Sequence, residues 1–377
     1  MKIWIITIVL LILMVATVCV VWQAIFPQKT HGGRYERETG RYDCFMLGQN
    51  IFFSDGFPDP RLNPGPMPMP PKADYEESVT LFGRTFTVGV YGKDPTYARI
   101  AAQEAIRRME RIAEIADPAN PESEISKINR DACERPLPLS EEMYSLLTRT
   151  LEVSDKSKGA YDPTAGPLRD LWRKYSESGE MPPADELGAA RALVGRRYVE
   201  IDDGSRLIRI KKKGVTLDLR DVIAGFAADQ AAWVLKSESV TSGYVRCGDL
   251  WRLLAHPFAE SEQTWAMGVP DARPDRVSRA ARTFSCDRGA VVSKGYYTGY
   301  RVIGATAVGD TINPLTGNPC GDVAVCTVIG PNALECDAMA SALVVLGGGQ
   351  IDRLLKEFNP AGSGPKPKRV VPEGETP

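Results

Sequence analysis

Residues 216–229 read Thr-Leu-Asp-Leu-Arg-Asp-Val-Ile-Ala-Gly-Phe-Ala-Ala-Asp. Leu217 and Leu219 alternate with polar neighbours, as in a short half-buried strand. From Gly225 the run Phe226, Ala227, Ala228, followed by Trp233, Val234 and Leu235, suits a helix. A chain that changes period this abruptly sets a strand end against a helix start. Two carboxylates, Asp218 and Asp221, stand at the junction. The unpaired N–H groups of a helix N-terminus attract anions, phosphate groups above all. The same acids would also serve as ordinary helix caps. The remainder of the chain must decide between a ligand site and a cap.

The 377 residues could form two average domains or one large one. Lys and Arg total 46 against 48 Asp and Glu, a formal net charge of -2. That balance lacks the basic excess expected of a nucleic-acid-binding protein. The only histidines, His31 and His256, lie far apart, which argues against a His-rich zinc site and a Ser-His-Asp hydrolase. None of the eight cysteines forms a C-x-x-C pair, so zinc ribbons and thioredoxin chemistry are poorly supported.

Ile3 to Phe26 is nearly unbroken apolar sequence, interrupted by Thr7, Thr17 and Gln23. A bilayer core needs about 20 such residues, so residues 1–26 are expected to form a transmembrane anchor. A cleaved signal peptide competes with this reading, but no clear small-x-small cleavage site follows. Residues 27–77 are rich in Pro and Gly, including Asn-Pro-Gly-Pro-Met-Pro-Met-Pro-Pro from Asn63, and read as a stiff spacer. The folded region is expected over 78–358 and a disordered tail over 359–377.

Within the folded region, Val79 to Val90 is strand-like. Asp94-Pro95 supplies an N-cap and an N1 proline for a helix bearing Ala102, Ala105, Met109 and Ile112. A second helix starts at Ser140. Asp202-Asp203-Gly204-Ser205 between two β-rich runs signals a hairpin. Further strands are expected near Val245, Trp265 to Val269, Ala305 to Val308 and Val323 to Ile329, with helices over Asp337 to Leu346 and Ile351 to Phe358. Strands interleaved with a few long helices indicate an α+β domain.

Four further stretches depart from generic core. Ser123 to Arg130 reads as a polar loop between helices. Gly159 to Leu168 packs two glycines and two prolines into ten residues, with Leu171-Trp172 following. Such a loop exposes amides to a planar ligand, or serves equally as a rigid turn. Thr311 to Pro319 carries Asn-Pro and Thr-Gly turn signals. Asp337 and Ser341, i and i+4 on one helix face at an expected helix start, can meet one ligand. Their oxygens suit Mg²⁺ or Ca²⁺ better than zinc, although a capping acid with a helix-face serine is the common alternative.

Taken in order, these stretches resemble the FAD:protein FMN transferase (ApbE-like) family over roughly Val79 to Gly348. Ser123 to Arg130 is similar to the family's Ser-acid-Ile-Ser, Leu-Asn-Arg segment, with Ile128 for leucine. Gly159 to Leu168 with Leu171-Trp172 is similar to Gly-Ala-Phe-Asp-Pro-Thr-Val-Gly-Pro-Leu followed by Leu-Trp. Asp218 to Asp229 aligns with Asp-Leu-Gly-Gly-Ile-Ala-Lys-Gly-Tyr-Ala-Val-Asp. Asn313 to Gly317 corresponds to Asp-Pro-Arg-Thr-Gly, and Cys336 to Leu343 to Ala-Asp-Ala-Leu-Ala-Thr-Ala-Leu.

The resemblance implies an ApbE-like (T-fold-like) α+β domain behind an N-terminal transmembrane helix. It also implies Mg²⁺-dependent transfer of FMN from FAD to a threonine of an acceptor flavoprotein, with AMP released. Ca²⁺ is the second choice of cation. FAD is expected against Ala160, Tyr161, Asp162, Asp218 and Ile312, and the pyrophosphate is the anion expected at the 218–229 junction. The cation is expected among Asp337, Ser341 and Asp221, the last through its backbone carbonyl with its carboxylate available in addition. Asp310, where many members have histidine, is the expected catalytic residue. The domain is expected on the extracytoplasmic side of the inner membrane.

Several residues depart from the family pattern. Arg220-Asp221 replaces paired small residues, Ala224 a common lysine, and Asn313 the acid of the Asp-Pro turn. Cys247-Gly248-Asp249 stands for Gly-Gly-Asp, Ser341 for a threonine, and Lys294 takes a usual glycine position after Ser293. An active transferase with altered ligands and a catalytically degenerate, membrane-tethered flavin-binding or interaction module are both compatible with these changes. So is an FAD pyrophosphatase.

Overall fold

The computed structural model describes residues 43–48, 65–92, 94–271, 279–295, 300–303, 306–309, 311–320, 323–347 and 350–359. The expected anchor over 1–26, the tail from 360 and Asp310 lie outside the described residues. Among those residues no helix is long and apolar enough to cross a membrane.

The spacer expected over 27–77 contributes to the folded body. β1 (Asp43–Gly48), β2 (Gly65–Pro66) and the start of β3 (Tyr75–Leu81) all fall within it. Its proline content hid the short run Cys44-Phe45-Met46-Leu47, which pairs antiparallel with β15 (Val323–Gly330). β3 and β4 (Arg84–Tyr91) form a hairpin around Phe82 and Gly83, both with positive φ, as a tight two-residue turn requires.

Local rules account for the next elements. Asp94 accepts bonds from Thr96 N and Tyr97 N and starts α1 (Pro95–Ala116), which buries Ala102, Ala105, Met109 and Ile112. Residues 123–130 are helical where a loop was expected. Ser123 caps α2 (Glu124–Asp131) by accepting from Ser126 N, and Ile125 and Ile128, one turn apart, bury its inner face. Only those two apolar residues carry the helical period, so the polar majority concealed it. Glu124 then accepts from Ser140 N (2.8 Å) and Ser140 Oγ (2.6 Å), joining α2 to the cap of α3 (Glu141–Lys156).

After β5 (Leu137–Pro138) and α3 come α4 (Gly166–Ser178) and α5 (Ala184–Arg191). The expected hairpin is β6 (Val199–Asp202) and β7 (Leu207–Ile210), with Asp202 Oδ1 accepting from Gly204 N at 2.9 Å. α6 (Ile223–Ser237) is followed by β8 (Ser242–Cys247), β9 (Leu250–Leu253), β10 (Trp265–Pro270), β11 (Arg279–Cys286) and β12 (Gly289–Lys294). β13 (Tyr300–Ile303) and β14 (Thr306–Gly309) form a separate pair ahead of β15, α7 (Ala333–Leu346) and α8 (Ile351–Phe358).

The main sheet has seven strands in the order β1-β15-β12-β9-β8-β4-β3, antiparallel throughout. One face carries the helical layer, in which α1 packs on α6, α6 on α7, and α7 on β12 and β15. The other face meets β10 and β11 through Trp265, Met267 and Phe284, which pack with Tyr244 and Val291. The α+β expectation therefore holds.

A buried polar joint fixes α6 against α7. The Asp229 carboxylate accepts from Ala333 N (2.8 Å) and Leu334 N (3.1 Å), the opening amides of α7. Arg252 Nε on β9 reaches it at 2.9 Å, and Arg149 Nη2 on α3 at 3.0 Å. Arg149 also pairs with Glu335 at 2.7 Å. One turn before Asp229, Gly225 allows close approach to the same start of α7, since a Cβ there would stand 2.5 Å from Ala333 O.

Removing one member of a buried charge network leaves the others uncompensated, at about 3–5 kcal/mol. Asp229→Ala is therefore expected to lower stability in urea denaturation by about that amount. Glu114→Ala, which removes an exposed partner of Arg111, is expected to change it by less than about 1 kcal/mol.

Candidate active site

Residues 216–219 keep the alternation of a strand without joining a sheet. Val215, Leu217 and Leu219 are buried. No strand runs beside them among the described residues, and Leu217 is paired by a side chain. Asn129 Nδ2 donates to Leu217 O (2.9 Å), and Leu217 N donates to Asn129 Oδ1 (2.7 Å). Asp218 N donates to Pro163 O at 2.6 Å. Thus α2 and the 159–166 loop together fix the extended segment that enters α6.

That segment presents its acids to fixed cations. Arg220 makes a forked contact with Asp218, Nε at 3.0 Å from Oδ1 and Nη2 at 2.6 Å from Oδ2. Arg169 on α4 lies between the two acids, with Nε 3.3 Å from Asp218 Oδ2 and both Nη atoms donating to the Asp221 carboxylate. Burial alone would push the Asp218 carboxyl up, but Arg169 and Arg220 outweigh it and hold the group below the ordinary Asp range.

On α7, Asp337 sits one turn inside the helix, which begins at Ala333, four residues before the expected start. Asp229 accepts from the opening amides of the helix, so Asp337 does not cap its own helix. Its Oδ2 accepts from Gly225 N at 3.3 Å. The anion met by the α6 N-terminus is thus the protein's own carboxylate. Ser341 follows one turn on, its hydroxyl donating to Asp337 O at 3.3 Å.

Lys294, at the end of β12, reaches into the same cluster. Its Nζ lies 2.7 Å from Asp337 Oδ1, 2.8 Å from Ser341 Oγ, 2.8 Å from Asp221 O and 3.9 Å from Asp221 Oδ1. Burial lowers the Lys294 ammonium from its usual range, while Asp337 pulls it back up.

The 159–168 loop borders this cluster. Ala160 and Tyr161 are buried in the core. The Tyr161 hydroxyl is buried with no hydrogen-bond partner among the described residues. Burial drives its phenol well above the usual value, Arg169 lowers it, and Asp218, Asp337 and Asp162 raise it further. The ring therefore lies within electrostatic reach of the acid cluster. Asp162 holds the loop: Oδ1 accepts from Thr164 N (2.9 Å) and Thr164 Oγ1 (2.6 Å), and Oδ2 from Arg196 N (3.1 Å). Trp172 Nε1 donates to Gly317 O at 2.7 Å, docking the 311–319 turn on α4. Ile312 packs with Leu168 and Trp172, while Asn313 accepts from Leu315 N and Thr316 N as a turn residue.

Asp218, Asp221, Asp337 and Ser341, remote in sequence, thus share one cluster, and Tyr161 borders it. Ile312 and Ala160 belong to packed surroundings, and Asp310 lies outside the described residues. Sequence reasoning missed Arg169, which stands inside the second motif between Leu168 and Leu171. It also missed the partners of Lys294, whose one signal was a long cationic side chain at a usual glycine position.

The fold is shared with solved structures. The ApbE protein from Thermotoga maritima matches with a TM-score of 0.67 at 27% identity, covering 75% of this chain and 90% of that one. The flavin transferase ApbE from Vibrio cholerae matches with a TM-score of 0.64 at 21% identity, covering 74% and 89%. This fold places the chain among ApbE-like proteins. The model of the ApbE family matches residues 82–362, and the chain belongs to that family. Curated relatives named FAD:protein FMN transferase include one from Klebsiella pneumoniae, 25% identical over 314 residues (81% of this chain, 87% of the relative), and one from Treponema pallidum, 26% identical over 298 residues (76% and 82%).

Two measurements probe this geometry. Because the folded-state pKa of Asp218 is depressed, its ion pairs contribute stability above the unfolded value near 3.8, and that contribution is lost as pH falls through the folded value. The stability deficit of Asp218→Asn relative to wild type is expected to be present at neutral pH and to shrink below about pH 4, measured by thermal melts across pH. Tyr161→Phe removes a buried hydroxyl with no protein partner, so its melt is expected to match or exceed wild type, by up to about 1 kcal/mol.

Proposed function

We propose that this chain is an FAD:protein FMN transferase that moves FMN from FAD to a threonine hydroxyl of a partner flavoprotein. The carrying observation is the convergence of the 159–168 loop, the 218–225 junction and the Asp337–Ser341 helix face on one charged cluster. Family membership gives that cluster its chemistry.

In the reaction the threonine oxygen attacks the phosphorus of the FMN half of the pyrophosphate. A P–O bond to the threonine forms, the bond to the AMP phosphate breaks with its electron pair leaving on AMP, and the hydroxyl proton passes to solvent. Negative charge grows on the phosphoryl and leaving oxygens, so pre-positioned cations matter most. Arg169, Arg220 and Lys294 are the cations here, each already oriented by a carboxylate. Asp218 orients Arg220 and Arg169 beside the expected pyrophosphate. The proposed FAD contacts are Ala160, Tyr161, Asp162, Asp218 and Ile312. The unpartnered Tyr161 hydroxyl supports a ligand contact, whereas Asp162 acts by holding its loop. The proposed catalytic role of Asp310 rests on its position in the family pattern.

Mg²⁺, or Ca²⁺, is the cation the resemblance implies at Asp221, Asp337 and Ser341. These residues do not fit it here, because Lys294 Nζ takes up the point the three oxygens share. No step is therefore assigned to a metal. The reading includes a tether to the inner membrane with the domain on its extracytoplasmic side, supported by the apolar run Ile3–Phe26.

The test is incubation of the full chain in detergent with FAD and a threonine-bearing acceptor flavoprotein. Covalent flavin fluorescence on the acceptor and stoichiometric AMP are expected. Asp337→Ala, which leaves Lys294 without its carboxylate, is expected to lose about 100-fold or more in rate. AMP with free FMN and an unlabelled acceptor would identify a pyrophosphatase instead, and absence of AMP would contradict both.

A further inference from the structure

We propose that Lys294 is the resident cation of this site, so that the protein binds FAD without a divalent metal ion. The inference builds on the transferase reading and departs from the metal dependence that the family resemblance implies. Three oxygens expected to ligate a metal, Asp337 Oδ1, Ser341 Oγ and Asp221 O, lie 2.7, 2.8 and 2.8 Å from one atom, Lys294 Nζ. An ammonium has three N–H donors and no acceptor, and here it meets three acceptors. The distances are those of charge-assisted hydrogen bonds. Mg²⁺ would draw the same oxygens to about 2.0–2.1 Å and Ca²⁺ to about 2.3–2.6 Å. A metal at their common centre would overlap Nζ.

The surroundings oppose adding a dication as well. The Asp221 carboxylate is already engaged by Arg169, and the second Asp337 oxygen accepts from Gly225 N. Arg84 and Arg169 are both near enough to repel the Lys294 ammonium. Asp218, Asp221 and Asp337 thus face Lys294, Arg169 and Arg220, leaving no surplus negative charge for a further cation.

The lysine is also anchored by its strand. Ser293 Oγ pairs with Thr327 Oγ1 at 2.7 Å, and Ser293 N donates to Asp249 O at 3.1 Å. After Lys294, Gly295 has φ +154, and a Cβ there would stand 2.3 Å from Ala324 O. The side chain therefore leaves β12 from a fixed point at the rim of the cluster. A glycine at 294 would leave the three oxygens around an open position.

The first test needs no FAD. Mn²⁺, which shares the oxygen preference of Mg²⁺, is titrated into the full chain in detergent and followed by electron paramagnetic resonance. Wild type is expected to bind no Mn²⁺ at millimolar MnCl₂. Lys294→Gly is expected to bind one ion, lost again when Asp337→Ala is added. One Mn²⁺ bound by wild type and lost in Asp337→Ala alone would overturn the proposal. So would a folded Lys294→Gly that gains no ion.

The second test titrates FAD by fluorescence in EDTA or MgCl₂. Wild-type affinity is expected to be the same in both, whereas Lys294→Gly should bind about tenfold or more weakly in EDTA than in MgCl₂. A tenfold loss for wild type in EDTA would overturn the proposal. Should Lys294→Gly fail to fold by circular dichroism, the wild-type arms still decide. Should wild type bind no FAD under either condition, the transferase reading fails, and the Mn²⁺ titration still tests the lysine.

Discussion

The Asp229 carboxylate, sunk between α6 and α7, holds the opening amides of α7 and is itself held by Arg149 and Arg252. A charge this deeply buried is tolerable only when its partners are in place. α3, α6, α7 and β9 must therefore assemble together. Their assembly sets Asp337 one turn inside α7, opposite Gly225 N at the start of α6. It also fixes the helix face on which Ser341 follows. The chemistry-bearing cluster depends on a joint that lies outside it.

Around that joint the chain replaces sheet and helix partners with side chains. Asn129 satisfies both backbone groups of Leu217, as a neighbouring strand would. Asp162 satisfies amides of its own loop and of Arg196. These bonds hold the 218–221 segment in place without a strand alongside, and Arg220, the more exposed partner of its pair with Asp218, is the side chain there most open to a ligand. Charge is balanced locally: Asp218, Asp221 and Asp337 face Arg169, Arg220 and Lys294. For an anionic substrate such as a pyrophosphate, pairing each cation with a protein carboxylate orients it before the ligand arrives. The cost is weaker net attraction.

Much of this was legible from local chemistry. The Asp94-Pro95 and Ser140 caps, the Asp202 hairpin and α8 follow from short-range rules, and the structure has them at the expected places. The order of motifs carried the family. Where a residue's role depends on a partner far along the chain, sequence rules failed. α2 was hidden because two isoleucines alone carry its period. The strand read into 216–219 has the right alternation, but its partner is an asparagine 88 residues away. The spacer over 27–77 concealed β1, whose partner strand begins at Val323. Lys294 stood out as an odd residue, yet its acceptors come from Asp221 and from α7, and only the fold brings them within 2.8 Å.

The most direct measurement is a crystal structure of the full chain grown with FAD and MnCl₂, with anomalous data collected at the manganese edge. The account predicts Lys294 Nζ among Asp221 O, Asp337 Oδ1 and Ser341 Oγ, the FAD pyrophosphate beside Arg169 and Arg220, and no anomalous peak at that point. A manganese peak bonded to Asp337 and Ser341, with Lys294 turned away, would contradict it.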